Sequence, residues 1–251
     1  MTRDEARRRG KALREELHGA ASKEGEAVPG LDDFLAEVVY AGIWDRPHLG
    51  LQDRCICTLA ALGLLERMTQ LEAMVAAALD QGLSPRNILE VFVQAGLYGG
   101  FGTAEQAARC AHGVFRARGL TVPPEPPRTD SNETLDARGR ELMATLHGAR
   151  GQQGYAAPGN AVTGALYPSA IRYGYGELWF RPGLDHRQRM LVALASFTVL
   201  GLESQLEKFA QSALNVGLKR EEIVEAVIQV APYGGFPRTL NGLAILSKAL
   251  G

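Results

Sequence analysis

Apolar residues recur at helical spacing along most of this chain. Within residues 70–81 the apolar positions fall on one face of a helix, and Gly82 follows as a glycine does just past a helix end. Ser84 and Pro85 then predict a new helix start, with serine as N-cap and proline at the first helical position. The pattern predicts helices at residues 53–66, 70–81, 85–97 and 103–117, with a glycine turn at 98–101.

The same plan occurs a second time. It predicts helices at residues 187–201, 204–216, 219–231 and 238–250, with a turn at 233–236. Residues 40–49 (YAGIWDRPHL) match residues 175–184 (YGELWFRPGL) at an offset of 135, and residues 98–101 match 233–236 at the same offset. A self-match of this length indicates a duplication, and no segment shows the sustained alternation of a strand. The predicted fold is therefore all-α, a tandem duplication of one helical unit.

Shorter matches and a proline-rich joint complete the organisation. Residues 17–20 (LHGA) pair with 146–149, and residues 29–30 pair with 158–159, at an offset of 129. The second copy therefore has six extra residues before Tyr175, because 135 minus 129 is 6. Four prolines within residues 120–128 cannot continue a helix and favour an extended spacer. We predict a first repeat at 1–119, a linker at 120–130 and a second repeat at 131–251.

The composition narrows the classes of function. The chain has 251 residues, 46% of them hydrophobic, and a formal net charge of −1. This near-neutral balance argues against a nucleic-acid or membrane-surface binder. No apolar run approaches the roughly 20 residues of a membrane helix, and the charged N-terminus lacks the apolar stretch of a signal peptide. We expect a cytoplasmic protein that binds a small molecule, and neither nucleic acid nor membrane.

The second copy resembles the gamma-carboxymuconolactone decarboxylase family. The resemblance is carried by residues 175–185 (YGELWFRPGLD), Arg189, residues 213–218 (ALNVGL), Glu225 and residues 233–237 (YGGFP). The first copy keeps the pattern more loosely, so the chain resembles two fused family units. The resemblance implies cofactor-independent chemistry on a small anionic substrate. It also implies assembly in rings, here a homotrimer with pseudo-sixfold organisation, with residues of both copies lining one pocket.

Two departures from the wider superfamily limit the chemistry. Its peroxidases use a Cys-x-x-Cys pair, which is replaced by Arg67 and Gln70 in the first copy. That mechanism needs a thiolate nucleophile and a resolving cysteine, so thiol peroxidase activity is disfavoured. The decarboxylases carry a histidine where this chain has Met74 and Phe209. Either another acid supplies the proton, with His18 and His147 as the candidate histidines, or the protein acts on another substrate.

Charged residues kept in both copies are the first candidates for a site. Arg54 and Arg189 open the most apolar helix of each copy and favour either a bidentate clamp on a substrate carboxylate or a pair with a structural acid. Arg46 and Arg181 precede prolines and are more typical of a structural role. Glu90 and Glu225 stand among apolar residues, which indicates either pairing with an arginine or general acid/base use.

Aromatic residues and histidines supply the other candidates. Trp44 and Trp179 either pack the core or line a pocket. A tyrosine before each paired glycine, Tyr98 or Tyr233, could donate a hydrogen bond to a developing enolate. His147, like its counterpart His18, is either the replacement proton carrier or a helix C-terminal histidine followed by glycine.

The leading hypothesis is a cofactor-independent lyase acting on a small anionic lactone or a related activated carboxylate. We expect the second copy to be catalytic because it keeps the family pattern better. The predicted catalytic residues are Arg189, which holds the carboxylate, and Glu225, His147 and Tyr233, which handle the proton. The predicted substrate-binding residues are Arg54, Trp179, Arg181, Glu90 and Tyr98. A cofactor-free isomerase or cyclase and a non-catalytic small-acid binding protein remain alternatives, and no metal set or cofactor motif is recognised.

Overall fold

The computed structural model describes residues 1–19, 28–125, 127–153 and 159–251. The first copy contains α1 (Arg3–His18), α2 (Leu31–Leu35), a π-helix (Ala36–Trp44), α3 (Leu51–Leu64), α4 (Met68–Asp80), α5 (Pro85–Gly99) and α6 (Phe101–Ala117). The second contains α7 (Asn132–His147), α8 (Tyr167–Ser169), a π-helix (Ala170–Tyr175), α9 (His186–Leu200), α10 (Glu203–Leu214), α11 (Arg220–Gln229), α12 (Ala231–Gly234) and α13 (Phe236–Leu250). Short 3-10 helices occur at Gly148–Gln152, Thr163–Ala165 and Leu178–Phe180. Ala20, Pro126 and Pro158 of the predicted segments lie outside the described residues.

The all-α fold and the tandem duplication are confirmed, and the described residues contain no strand. Two local predictions are wrong. The turn predicted at 98–101 is narrower, because α5 continues to Gly99 and only Gly100, with φ of 103°, separates it from α6. The helix predicted over 219–231 is interrupted at Val230, because Pro232 has no N–H to donate to the preceding turn.

The two copies share one hydrophobic core. Helices α3 and α9 are buried along almost their whole length and pack against each other at its centre. Helix α5 of the first copy also packs on α9, and α11 of the second packs on α3. A helix that is apolar on all sides belongs in an interior, which explains why the amphipathic helices surround this pair.

The position of α1 depends on a glycine. A Cβ added at Gly10 would lie 1.9 Å from the Ala36 carbonyl oxygen of the first π-helix, and one at Gly139 in α7 would lie 2.3 Å from the Ile171 oxygen. Only glycine permits such an approach. It fixes α1 and α7 so that their last residues, His18 and His147, face α4 and α10 respectively.

The described residues between α6 and α7 form no helix, and ion pairs attach them to both copies. Glu125 pairs with Arg86 of α5 and, at 3.0 Å, with Arg181 of the second copy. None of the helices in the described parts of the chain is long and apolar enough to cross a membrane.

Candidate functional site

Two buried clusters of arginine and glutamate join the copies. In the first cluster, Arg54 of α3 donates to the Glu225 carboxylate of α11 at 3.0 Å and to the Gln229 side-chain oxygen at 2.7 Å. Arg46 adds a bidentate pair to the same carboxylate, with distances of 2.8–3.1 Å. Arg54 is 0% exposed and Glu225 3% exposed. Each charge is therefore compensated by a residue of the other copy, as a buried charge requires.

The second cluster repeats the first with the copies exchanged, and Arg86 of α5 adds a further pair to its glutamate, Glu90, at 3.1 Å. Arg189 of α9 donates to Glu90 of α5 at 3.2 Å and to Gln94 at 3.0 Å. Arg181 forms a bidentate pair with Glu90 at 2.8–3.1 Å. Burial lowers the pKa of Arg189, and the neighbouring Glu90 carboxylate acts in the opposite direction. The first copy thus supplies the acid to the second copy's arginines, and the second does the same for the first.

These contacts separate residues that the sequence placed in one site. Arg189 and Glu225 lie in different clusters, because each pairs with a residue of the other copy. Each arginine is paired with a glutamate of the protein itself, as the structural alternative for Arg54 and Arg189 predicted. Arg189 is 0% exposed, and both of its terminal nitrogens already donate to Glu90, Gln94 or the Arg181 backbone oxygen. A substrate carboxylate could therefore take these two donors only by displacing the partners that hold them.

A separate cavity of about 380 Å³ lies in the first copy. This first-copy cavity is lined by Arg14, His18, Tyr40, Leu62, Gln70, Ala73, Met74, Ala76, Ala77, Asp80, Arg118 and Tyr233. All of these residues except Tyr233 belong to the first copy. The cavity therefore combines residues of both copies, and it contains Gln70 and Met74, two positions where this chain departs from the superfamily.

His18 is the titratable group of the cavity that suits proton transfer near neutral pH. Burial, followed by the positive charge of Arg14, lowers the pKa of His18, and a hydrogen bond to the Ala73 backbone opposes this shift. The imidazole is consequently neutral at pH 7. It donates one N–H to the Ala73 carbonyl, which leaves the other ring nitrogen able to accept a proton.

Two arginines give the cavity positive charge. Arg14 lies one helical turn before His18, its guanidinium is 5.9 Å from the Tyr40 ring centre, and it pairs with Asp32 at 3.3 Å. Arg118 forms a bidentate pair with Asp80, at 2.5 and 2.9 Å. Because Asp80 contacts Arg118 through both carboxylate oxygens, Arg14 is the less tightly compensated cation and the better candidate to hold an anion.

Tyr233 reaches the cavity from the second copy. Its hydroxyl oxygen accepts a hydrogen bond from the Trp44 indole N–H at 3.0 Å. Burial raises the pKa of Tyr233, so the phenol keeps its proton and remains a donor. Tyr233 is the predicted catalytic residue that lines this cavity, whereas Arg189, Glu225 and His147 lie elsewhere.

The corresponding region of the second copy is filled by two aromatic rings. Phe197 stands at the position of Leu62 and Phe209 at the position of Met74. Their ring centres are 4.9 Å apart, and Phe209 is also 4.8 Å from the His147 ring. Tyr98, the counterpart of Tyr233, packs 4.6 Å from Phe197 and accepts a hydrogen bond from Gln94 at 2.8 Å. The space that is open in the first copy therefore holds side chains in the second.

His147 is engaged within this packing. Its Nδ1 is 2.7 Å from the Ser212 hydroxyl and its Nε2 is 3.2 Å from the Tyr175 hydroxyl. Burial, followed by the charges of Lys208 and Arg150, lowers the pKa of His147 to about 3. Trp179 stacks on Tyr175 with ring centres 6.3 Å apart, and its indole N–H has no partner among the described residues. These two predicted site residues are core residues in the structure.

Sequence reasoning did not select Arg14, Tyr40 or Arg118. A signal existed for the first, because Arg14 and His18 are four residues apart and so lie on one helix face. Tyr40 was visible only as part of the repeated decapeptide. Arg118 lies after the last matched segment of the repeat, so the comparison of the two copies did not single it out.

The thiols of α3 do not suit redox chemistry. Cys55 and Cys57 are both 0% exposed, and burial raises the pKa of Cys55 to about 12. Burial also raises the pKa of Cys57. A reactive cysteine needs a lowered pKa and access to solvent, so these two side chains act as small apolar core residues.

Comparison with known proteins gives a family and relatives. The family model described as the carboxymuconolactone decarboxylase family matches residues 29–113 and again residues 165–248. The 4-carboxymuconolactone decarboxylase of Acinetobacter baylyi is 35% identical over 66 residues, covering 26% of this chain and 49% of that protein. The nitrosuccinic acid decarboxylase of Metarhizium robertsii is 34% identical over 80 residues, covering 31% of this chain and 54% of that protein. The chain spans about half the length of the curated relatives that it matches.

Proposed function

The chain belongs to the carboxymuconolactone decarboxylase family as two fused family units, and from this premise we propose that it is a cofactor-independent lyase working in the first-copy cavity. The proposed substrate is a small anionic lactone or a related activated carboxylate. The observation that carries the proposal is the presence of His18 in the same cavity as Met74. Met74 stands where the family decarboxylases carry histidine, so His18 supplies that group from a different helix.

The residues of the cavity suit each step of a decarboxylation. Arg14 holds the carboxylate that does not react, and Tyr233 donates a hydrogen bond to the carbonyl oxygen that becomes an enolate. The bond between the substrate carbon and the departing carboxylate breaks, CO₂ leaves, and the electron pair passes into the enolate. A proton then returns to carbon from His18, so one proton is consumed for each CO₂ released.

The lowered pKa of His18 is compatible with this role once an anion is bound. Burial and Arg14 keep the imidazole neutral in the empty cavity. A substrate carboxylate offsets the charge of Arg14 and raises the pKa of His18 again. The histidine then takes up a proton from solvent and serves as the general acid beside the reacting carbon.

The neutral state of His18 also favours a second candidate function. A neutral imidazole is a base, and a base beside a held carboxylate suits an isomerase or cyclase that moves a proton without releasing CO₂. This alternative predicts exchange of a substrate C–H for deuterium in D₂O while the carboxylate is retained.

The experiment measures CO₂ release by the purified full chain from 4-carboxymuconolactone and from nitrosuccinate, the acids in the names of the two relatives. We expect turnover of one of them, and a loss of about 10²–10⁴-fold in His18→Gln because a general acid is removed. His147→Gln is the matched control and should retain turnover. Met74→His added to His18→Gln places a histidine at the family position and should restore part of the rate.

Each contrary outcome points to a defined alternative. Deuterium exchange without CO₂ release would replace the lyase by the isomerase. Tight binding of a small acid without either reaction would leave a binding protein. Loss of turnover in His147→Gln but not in His18→Gln would assign the catalytic site to the second copy.

The assembly is also a proposal. From the family resemblance we propose a homotrimer, which size-exclusion chromatography with light scattering would detect as three chains per particle. A monomer with full turnover would remove the trimer from the proposal and leave the cavity assignment intact, because both copies of one chain supply the lining.

A further inference from the structure

A second concave site lies along α10 in the second copy. This second-copy cleft has a volume of about 560 Å³ and is lined in part by Arg150, Gln205, Glu207, Lys208 and Gln211. It is separate from the first-copy cavity, because none of its lining residues belongs to that cavity. The lyase proposal makes no use of it.

Arg150 is held in place by α10. Its Nη1 donates to the Lys208 backbone oxygen at 2.8 Å, and its Nη2 is 3.3 Å from the Ser212 hydroxyl oxygen. A guanidinium has five N–H donors, so three remain beyond these contacts with described residues. Arg150 therefore lines the cleft as an ordered cation with donors to spare, and it forms no ion pair with another described residue.

Lys208 places a second cation next to the first. Burial, followed by the charge of Arg150, lowers the pKa of Lys208, and burial lowers that of Arg150. Both shifts go against the charged form, so the pair stands in a partly desolvated place where an anion would be favourable. Glu207 also lines the cleft, but it is exposed and contributes to neither shift.

The lysine of the cleft is specific to the second copy. Lys208 stands at the position of Ala73, and Gln211 at the position of Ala76. Gln205 is shared with Gln70 of the first copy. Gln70, Ala73 and Ala76 line the first-copy cavity, so the cleft occupies the matching positions of α10. In the second copy Phe197 and Phe209 fill the inner part of this region, and Lys208 and Gln211 stand where the first copy has alanines.

We propose that the second-copy cleft is a binding site for a small anion, whose carboxylate or phosphate oxygens are held by Arg150 and Lys208. Gln205 and Gln211 provide amide groups for polar parts of the same ligand. This ligand differs from the lyase substrate in position and in partner residues. The site is therefore independent of the reaction proposed above.

The two tryptophans of the chain allow the two sites to be observed separately. Trp44 is hydrogen-bonded to Tyr233 in the wall of the first-copy cavity. Trp179 stacks on Tyr175, which contacts His147, and His147 contacts Ser212 beside Arg150. An anion in the cleft should shift the indole N–H signal of Trp179, whereas an anion in the cavity should shift that of Trp44.

The test is a titration of the ¹⁵N-labelled full chain with inorganic phosphate, and separately with succinate, at low ionic strength. We expect a saturable shift of the Trp179 signal with at least one of them, and the stronger of the two names the preferred oxyanion. Lys208→Gln, which leaves the backbone contact of Arg150 intact, should weaken binding about tenfold, as should Arg150→Gln. Glu207→Gln should leave the affinity nearly unchanged, because this exposed carboxylate shifts the pKa of neither cation.

Matched controls decide whether the effect is local. Arg109→Gln removes one exposed positive charge elsewhere and should leave the affinity unchanged. Arg14→Gln should leave the Trp179 titration unchanged as well. A saturable shift of Trp44 alone, equal weakening by Arg109→Gln, or no saturable shift with either anion would overturn the proposal. None of these results depends on CO₂ release, so failure here is distinguishable from failure of the lyase assignment.

Discussion

The first-copy cavity and its filled counterpart in the second copy differ mainly in side-chain volume. Leu62 and Met74 border an open space in the first copy, and Phe197 and Phe209 occupy it in the second. The two buried arginine–glutamate clusters that join the copies, in contrast, use the same pairs of residue types, whichever copy supplies the arginine. The duplicated units have therefore kept the ion pairs that join them and differ in the side chains around the cavity. Agreement between the copies marks the shared framework here, and disagreement marks the candidate site.

The largest expected effect on stability tests whether the two arginine–glutamate clusters contribute equally to the free energy of unfolding. Glu225→Ala leaves Arg54 buried without its counter-charge, and Glu90→Ala does the same to Arg189. Each should lower the free energy of unfolding by about 3–5 kcal/mol in urea titrations. Glu105→Ala removes an exposed pair with Arg109 and should cause no measurable change. A clear difference between the first two variants would break the symmetry assumed for the clusters.

The next prediction concerns pH and sharpens the contrast between the two histidines. The folded protein holds His147 with a pKa of about 3, against an ordinary value of 6.5. Because the folded pKa is lowered, its stabilising contribution is complete above about pH 6.5 and is lost as pH falls toward 3. The loss should be on the order of a few kcal/mol.

The measurement is the free energy of unfolding against pH for the wild type and His147→Gln. Carboxylates contribute to acid unfolding in both proteins, so the difference between the curves isolates the histidine. The variant curve should fall less steeply between pH 6.5 and 3. Parallel curves would contradict the burial of a neutral His147.

Exchanging the cavity residues between the copies has a smaller effect on stability. Phe197→Leu with Phe209→Met should cost about 1–3 kcal/mol, because it opens a space beside His147. The reverse exchange, Leu62→Phe with Met74→Phe, should fill the first-copy cavity and abolish turnover. Crystal structures of both variants, with CO₂ release measured alongside, check the prediction. Full activity in the filled variant would remove the cavity from the mechanism.

The smallest effect compares the two tryptophans. Trp44→Phe removes the hydrogen bond to Tyr233 and should cost about 1 kcal/mol. Trp179→Phe removes a buried N–H that has no partner among the described residues, so no hydrogen bond is lost. This variant should therefore be more stable than Trp44→Phe. Thermal unfolding of the two variants gives the comparison. An equal loss in both would indicate that ring volume, rather than the Tyr233 contact, determines the cost.

Much of the fold could be predicted because helices leave periodic marks. Apolar spacing and the Ser84–Pro85 start place α5, and the repeated decapeptide reveals the duplication. The clusters were half predicted: pairing of arginine with glutamate was expected as an alternative. The sequence did not predict that each arginine would pair with the glutamate of the other copy. A sequence contains no information on which of two equivalent glutamates is nearer.

The cavity was harder to predict, because an empty space has no residue of its own. In the sequence, Met74 and Phe209 are equivalent replacements of the family histidine. In the structure, Met74 lines the first-copy cavity, whereas Phe209 fills the matching space in the second copy. The difference is only the volume of a ring, which matters once the packing of Phe197 and Tyr98 around it is known. Arg14 was missed for a related reason, since its relevance depends on the approach of α1 to α4.

The reciprocal ion pairs have a consequence for how such a protein can change. Two separate identical subunits joined by these contacts would form a twofold dimer, in which every substitution occurs twice. A phenylalanine that closed one cavity would then close both, and the assembly would be inactive. Covalent fusion removes this constraint, because each half has its own stretch of sequence. One half can become a scaffold that contributes Tyr233 and its cluster residues to the other, while its own interior and outer surface are free to acquire a different task.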